Sequence, residues 1–339
     1  MKKMMIFAVL LSLVFVGCSK SAPADEPAGA ASTATTKSGL VAPPGYPSGP
    51  ITLIIPQNAG GATDLGARLI AKYLQDYLST PVVPVNMPGG NAAIGLLEML
   101  KKPADGHTIA KIFTAAYTSS LTTGQFDMKT DFDYICQQVS DPRILSFNPN
   151  DKRFSSREEL FQFARTNPGV LTMCATNLHT DQYFQAITLS QTTDLKTEVV
   201  AFDGFAPAKT AFLGGFLDIL FVSLAETTPM LLENQVVPMM VLMENRIDEL
   251  PDLPTARELG IDMVSASNRG YAFKSGTDRA IRDYIEKTFE LVTKDPAYLE
   301  EMAGIGLRSA YLPGKEFAAL VSDAVDLMAP MMREIGLIK

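Results

Sequence analysis

From Tyr46 onward, short apolar runs alternate with amphipathic segments. "ITLIIP" (51–56) is an unbroken apolar run of strand length. "GATDLGARLIAKYLQDYL" (61–78) follows, with Leu65, Leu69, Tyr73 and Tyr77 at helical spacing. "PVVPVN" and "AAIGLLEMLKK" repeat the strand–helix pair, and "HTIAKIF" and "FDYICQQV" read as a third and a fourth strand. "SREELFQFART" predicts a helix capped by Ser155 or Ser156 and stopped by "NPG". Strands at "VLTMCA", "TEVVAF", "LDILFV" and "VVPMMVLM" then alternate with helices at "DQYFQAITLS", "APAKTAFL" and "ETTPMLLEN". The C-terminal segments "RAIRDYIEKTFELVTK", "PAYLEEMAGIG" and "EFAALVSDAVDLMAPMMREIG" all read as helical. This alternation predicts an α/β architecture of parallel sheets covered on both faces, with enough chain for two of them.

The N-terminus departs from that rhythm. "MKKMMIFAVLLSLVFVGCSK" has a basic start and then an apolar run too short to span a bilayer, as in a secretory signal peptide over residues 1–17. Its end, "FVGC", resembles a bacterial lipobox, with Phe15 where leucine is usual. That resemblance implies a lipid on Cys18; the alternative is an ordinary signal peptide followed by a chance cysteine. Residues 18–45 are rich in Ala, Ser, Thr, Pro and Gly and read as a flexible tether. The expected location is the cell envelope, lipid-anchored and facing the periplasm or the exterior.

Composition narrows the function. A chain of 339 residues accommodates two domains. A net charge of −8 argues against a nucleic-acid partner. Histidine occurs twice, at His107 and His179, and no HExxH or CxxC spacing is present, so no metal or cofactor is expected. Cys136 and Cys174 lie in apolar strand-like runs, as two buried thiols or one disulfide. An exported hydrolase built on His179, Asp181 and a serine would lack the GxSxG elbow.

The loop "PQNAGGATD" (56–64) joins the first strand to the first helix. In parallel α/β sheets ligands bind at such strand ends. Gly60 and Gly61 permit unusual backbone angles, so amides can converge there beside the positive end of the helix dipole. An anion fits such a place without arginine. A purely structural turn is the alternative, with Asp64 merely complementing the dipole.

Several stretches in fixed order extend this reading: "YPSGPITLIIPQNAGGATD", "PVVPVNMPGGNAAIG", "KKPADGHTI", "FAPAKTAFLGGFLDILF" and "LPDLPTARELGI". With them the chain resembles, from Tyr46 to the C-terminus, the solute-binding receptors of tripartite tricarboxylate transporters, the Bug family. The resemblance implies a two-domain, periplasmic-binding-protein-like flytrap fold with mixed, mostly parallel sheets. Residues 46–145 plus 271–339 would form domain I and residues 146–270 domain II, with crossings near Ser140–Ser146 and Ser267–Phe273. It further implies a monomer without catalysis or cofactor, which captures a small organic acid and delivers it to a membrane permease. A receptor serving a membrane kinase is the alternative.

The family's binding elements fall on Gln57, Asn58, Ala59, Gly60, Gly61 and Asp64, where amides near Gly60 and Gly61 would meet a ligand carboxylate. Asn91 opens the second helix, as a ligand contact or as an N-cap. Thr114 and Thr118 follow the third strand. In the second domain the matching loop contains Thr176, Asn177, His179, Thr180 and Asp181. Departures concern Gln57, where relatives carry an aromatic residue, and the second-domain loop, which lacks their glycines; Gln182, rather than His179, sits nearer the family's histidine. "AFDG" (201–204) replaces a cation by Asp203, beside Gly204. Asp203 or Asp181 would match a ligand that carries an ammonium group as well as a carboxylate, such as an amino acid; the alternative is that both aspartates cap helices or face solvent.

Overall fold

The computed structural model describes residues 37–339, except Asn177 and His179. The signal segment, Cys18, the tether as far as residue 36, Asn177 and His179 lie outside the described residues. Residues 37–45, assigned to the tether by composition, lie against the body: Leu40 and Ala42 pack on its core, and Lys37 pairs with Asp295 at 3.1 Å.

The first part of the chain alternates strand and helix: β1 (Ile51–Ile55), α1 (Ala62–Leu78), β2 (Val82–Asn86), α2 (Ala93–Leu100), β3 (Thr108–Phe113) and α3 (Ala115–Thr123). A long β4 (Phe132–Phe147) leads to α4 (Arg157–Thr166), β5 (Thr172–Ala175), α5 (Asp181–Thr192), β6 (Glu198–Ala201) and α6 (Phe205–Leu213). Then come β7 (Ile219–Ser223), α7 (Leu224–Leu232), β8 (Val237–Val241) and β9 (Ala266–Lys274). The chain ends in α8 (Arg279–Thr293), α9 (Pro296–Gly304), β10 (Ser309–Pro313) and α10 (Gly314–Glu334).

All ten strands belong to one sheet, in the order β2-β1-β3-β9-β4-β7-β5-β6, with β8 and β10 also pairing β4. The two expected sheets are thus two wings of one. The wings are parallel (β2-β1-β3 and β7-β5-β6), and the central pairings of β4 and β9 are antiparallel. Through Pro142 β4 pairs with β9, and from Arg143 it pairs with β7. The return crossing precedes β9, where the Ser265 amide donates to Leu242 and the Ser265 carbonyl accepts from Arg143. The periplasmic-binding-protein fold follows from this arrangement, two α/β wings joined by crossing strands.

Burial explains why the strands read as apolar runs. Leu53 and Ile55 of β1 pack with α1, α8 and α9, whereas Ile54 between them packs with α2, α3 and α10. Successive side chains point to opposite faces, so a strand covered on both faces is apolar throughout. The second wing repeats this, with Met173 of β5 toward α4 and α5 and Cys174 toward α6. Helix α1 buries Ile70, Tyr73, Leu74 and Tyr77, whereas Leu65, grouped with the apolar stripe above, is 40% exposed. Ser156 caps α4 by accepting from the Glu159 amide. Cys136 and Cys174 are both buried free thiols.

Candidate ligand cleft between the wings

Topology brings the strand ends face to face. β4 runs in the direction of β1 and β3, because both β3 and β4 are antiparallel to β9. β7 is antiparallel to β4 and parallel to β5, so the second wing's strands end toward the first. Phe113, at the end of β3, is level through Arg269 with Val139 of β4, and Ser223, at the end of β7, pairs with Arg143. Val139 and Arg143 are four residues apart, about 13 Å of strand. Between these ends lies a cleft of about 640 Å³, lined by Gln57, Asn58, Ala59, Gly61 and Asn91 from the first wing and Thr180 from the second. A hollow of about 670 Å³ on the second wing, bordered by Phe161, Thr192 and Ile261, includes no strand end.

The first loop is pinned from behind. Asp64 is 2% exposed; its Oδ2 accepts from the Gly60 amide at 2.8 Å and its Oδ1 from Asn86 Nδ2 at 2.8 Å. Arg68 Nε donates to the same carboxylate at 3.0 Å, and Asn86 also donates to the Gln57 carbonyl. Burial alone would raise the pKa of Asp64, but Arg68, the Gly60 amide and Asn86 outweigh it and hold the carboxyl below its usual range. This corrects one expectation: the Gly60 amide, assigned to a ligand carboxylate, is taken by the loop's own acid. A second correction concerns backbone freedom, because Gly60 is left-handed (φ +88°) but Gly61 is extended (φ −79°, ψ 165°). Asp64→Ala should cost about 2 kcal/mol, since it strips a buried, charge-assisted network. The urea midpoint measures this; an unchanged midpoint would mean that the loop holds its shape without the clamp.

The second loop is held differently. Gly89, Gly90, Asn91 and Ala92 all have positive φ, at 120°, 58°, 50° and 78°. The N-cap of α2 is Ala92, without a side-chain bond, so Asn91 lines the cleft rather than capping. A non-glycine residue in this region costs on the order of 1 kcal/mol, and such strain gathers at ligand sites. Phe113 and Ala115 also line the cleft on either side of Thr114. Thr118 is buried one turn further along α3, and its Oγ1 has no hydrogen-bond partner among the described residues.

In the second wing, the structure separates residues that the sequence groups together. Thr180 caps α5 and reaches the cleft. Thr176 is tied inward, its amide and hydroxyl both donating to Gln182 Oε1, while Gln182 donates in turn to the Phe221 carbonyl. Gly204 (φ +93°) precedes α6, and its amide donates to the Thr176 carbonyl at 2.6 Å. Asp203 is exposed and is not among the cleft-lining residues. Asp181 is 5% exposed and faces Arg143 at 3.6 Å, so its charge is compensated within the protein. Asp203 therefore matches the solvent-facing alternative, and Asp181 is turned to an arginine of the protein.

Two residues escaped the sequence reading, Arg143 on β4 and Arg269 on β9. Arg143 is 6% exposed, and Arg269 is half-buried at the level of the strand ends. Burial pulls the pKa of Arg269 down and Arg143 adds to this, against Asp141, Glu226 and Asp181. A cation within an apolar strand, in "DPRILSF" and again in "SNRGYAF", was the signal available.

The sequence profile described as "Tripartite tricarboxylate transporter family receptor" matches residues 66–337. The chain belongs to this receptor family. It is 27% identical over 319 residues to the "UPF0065 protein in gbd 5'region" of Cupriavidus necator, covering 90% of this chain and 95% of that one. A TctC solute-binding protein from Polaromonas aligns with a TM-score of 0.77 at 24% identity, over 85% of this chain and 99% of that structure. An R. palustris protein solved with adipate aligns with a TM-score of 0.69 at 23% identity, over 85% of this chain and 97% of that one. Both structural likenesses establish the fold of this family member.

Proposed function

We propose that this chain is an extracytoplasmic receptor whose two lobes close on a small carboxylate ligand and hand it to a tripartite-type permease. The lobes would be residues 46–145 with 271–339, and residues 146–270, moving about the crossing strands. A lipid on Cys18 would keep a monomeric receptor beside its permease. The cleft that draws its lining from both wings supports this reading most, because a ligand touching both lobes favours the closed form by its differential affinity. Gln57, Asn58, Ala59, Gly61, Asn91 and Thr180 would make first contact, with Thr114 and Thr118 next to them. Adipate in a structural neighbour makes linear dicarboxylates the first ligands to try.

Thermal denaturation of the purified full-length chain tests this with succinate, glutarate and adipate, and with aspartate and glutamate as amino counterparts. A ligand at a hundredfold over its Kd stabilises by about 2.7 kcal/mol, which a melting curve resolves. A shift confined to the amino members would restore an ammonium partner at Asp181. No shift with any acid, from protein with native circular dichroism, would sink the receptor reading.

A further inference from the structure

The loops that line the cleft offer backbone groups and neutral side chains; charged side chains stand next to them in sequence and register. Several buried polar atoms on the adjoining elements have no hydrogen-bond partner among the described residues. They are Arg143 Nε on β4, Arg269 Nη1 and Asn268 Oδ1 on β9, Tyr117 Oη and Thr118 Oγ1 on α3, and Asp181 Oδ2 on α5. Buried polar groups in folded proteins are nearly always paired, so these atoms call for a partner. Sequence and register tie this group to the cleft wall. Phe113, a wall residue, is the register partner of Arg269; Thr180, another, precedes Asp181; Ala115, a third, lies two residues before Tyr117.

The arginine without an ion pair gives the sign of that partner. Arg143 has Asp181 at 3.6 Å. The other acids that act on Arg269 form no ion pair with it among the described residues: Asp141 accepts from the Ala225 amide at 3.2 Å, and Glu226 accepts from the Ser223 amide at 3.0 Å. Lys111 of β3, buried and close enough to repel Arg269, adds no negative charge. Arg269 therefore has no ion pair among the described residues, and its Nη1 is one of the buried atoms without a hydrogen-bond partner there.

We propose that Arg269, supported by Arg143 and the hydroxyls of Tyr117 and Thr118, forms an anion-binding floor that takes one carboxylate of a dicarboxylate. The other carboxylate lies at the loops. This rests on the receptor reading above and assigns its specificity to two arginines on the crossing strands. Arginine suits the place because its planar fork pairs with a carboxylate through two parallel bonds and stays charged when partly desolvated. A ligand held at Arg269 and at the loops of both wings bridges the crossing, so binding and closure are coupled.

Isothermal titration with succinate, glutarate and adipate, each beside its monoamide, tests the proposal on the full-length protein and on Arg269→Gln and Arg269→Lys. Each monoamide keeps the ligand's shape and removes one charge. The unaltered protein should prefer the best diacid to its monoamide by at least about 30-fold, the lower range for a buried charge pair. Arg269→Gln should bind the diacid about 30-fold more weakly and lose that preference, whereas Arg269→Lys should keep most of it. Equal weakening of diacid and monoamide would make Arg269 structural and overturn the proposal. If Arg269→Gln does not fold, Tyr117→Phe and Thr118→Val carry the test, and an undiminished diacid preference in both overturns it. Failure of succinate, glutarate and adipate to bind the unaltered protein overturns the dicarboxylate floor, whereas a thermal shift with aspartate or glutamate would keep the receptor reading, which separates the two results.

Discussion

Gly270→Ala should destabilise the protein by at least about 3 kcal/mol, the upper range for overpacking a core. A Cβ at this position of β9 would stand 2.3 Å from the Cys136 carbonyl oxygen and 2.3 Å from a ring carbon of Phe317. Neither neighbour can yield cheaply. The carbonyl belongs to β4, the strand on which both wings are built, and Phe317 is a fully buried residue of α10. Close approach of three elements is thus purchased by the absence of a single methyl. Gly61→Ala is the contrast: its Cβ would meet nothing within 4 Å, and its φ of −79° suits any residue. It should leave stability within about 0.5 kcal/mol of the parent. Urea denaturation of the two variants distinguishes the cases. Equal midpoints would mean that β4 and α10 move apart at small cost, and that the packing at the crossing is loose.

The contrast bears on what the sequence makes legible. Gly61 looked significant because it sits in a glycine pair before a helix, and the structure gives the left-handed backbone to Gly60 alone. Gly270 carried no such signal, since its constraint comes from residues 134 and 47 positions away. The α/β alternation was readable because strands buried on both faces leave unbroken apolar runs and amphipathic helices leave periodic ones. β9 left no such run for the complementary reason, and the resemblance alone placed a crossing at Ser267–Phe273. "ASNRGYAFK" begins with polar residues at the cleft, where the strand crosses between wings, so it lacks the composition of a covered strand. Helix α3, "AAYTSSLTT", was given no element from the sequence; it is rich in Ser and Thr, which give little amphipathic contrast, and tertiary packing of Ala116 and Tyr117 decides its form.

The site was legible to a similar depth. Loop positions followed from strand ends, and Gln57, Asn58, Ala59, Gly61, Asn91 and Thr180 do share one cleft in the structure. What side chains do within those loops was not legible. Asp64 turns inward to Gly60 and Asn86, and Asp181 turns to Arg143, a residue 38 positions earlier. Charges read as available for a ligand are compensated by partners that only the fold brings near.

The same blindness hid Lys111, and it underlies the second large effect. Lys111→Met should stabilise the protein at pH 7, and the gain should grow as the pH falls from about 10 toward neutrality. Lys111 is 1% exposed in the middle of β3; its Nζ donates to Tyr271 Oη at 3.0 Å and to Gln138 Oε1, and lies 4.1 Å from the Tyr271 ring centroid. No carboxylate pairs with it among the described residues. Burial, then the nearby Arg269, hold its pKa well below the ordinary lysine value of 10.5. The unfolded chain therefore binds a proton that the folded protein refuses, throughout the range between the two pKa values. In that range stability rises with pH by up to about 1.4 kcal/mol per unit, and the loss accumulates as the pH drops below 10.5. Methionine has a similar length and no proton to refuse, so the variant lacks this slope. It leaves few orphans, because Tyr271 still donates to Gln138 at 2.7 Å, and Gln138 still reaches the Gly66 carbonyl and Tyr298. Denaturant midpoints of both proteins at pH 7 and pH 10 read the difference directly. A stability gap that is the same at both pH values would mean that Lys111 enters the fold with its proton, and that this amine, too, has found a partner for its charge.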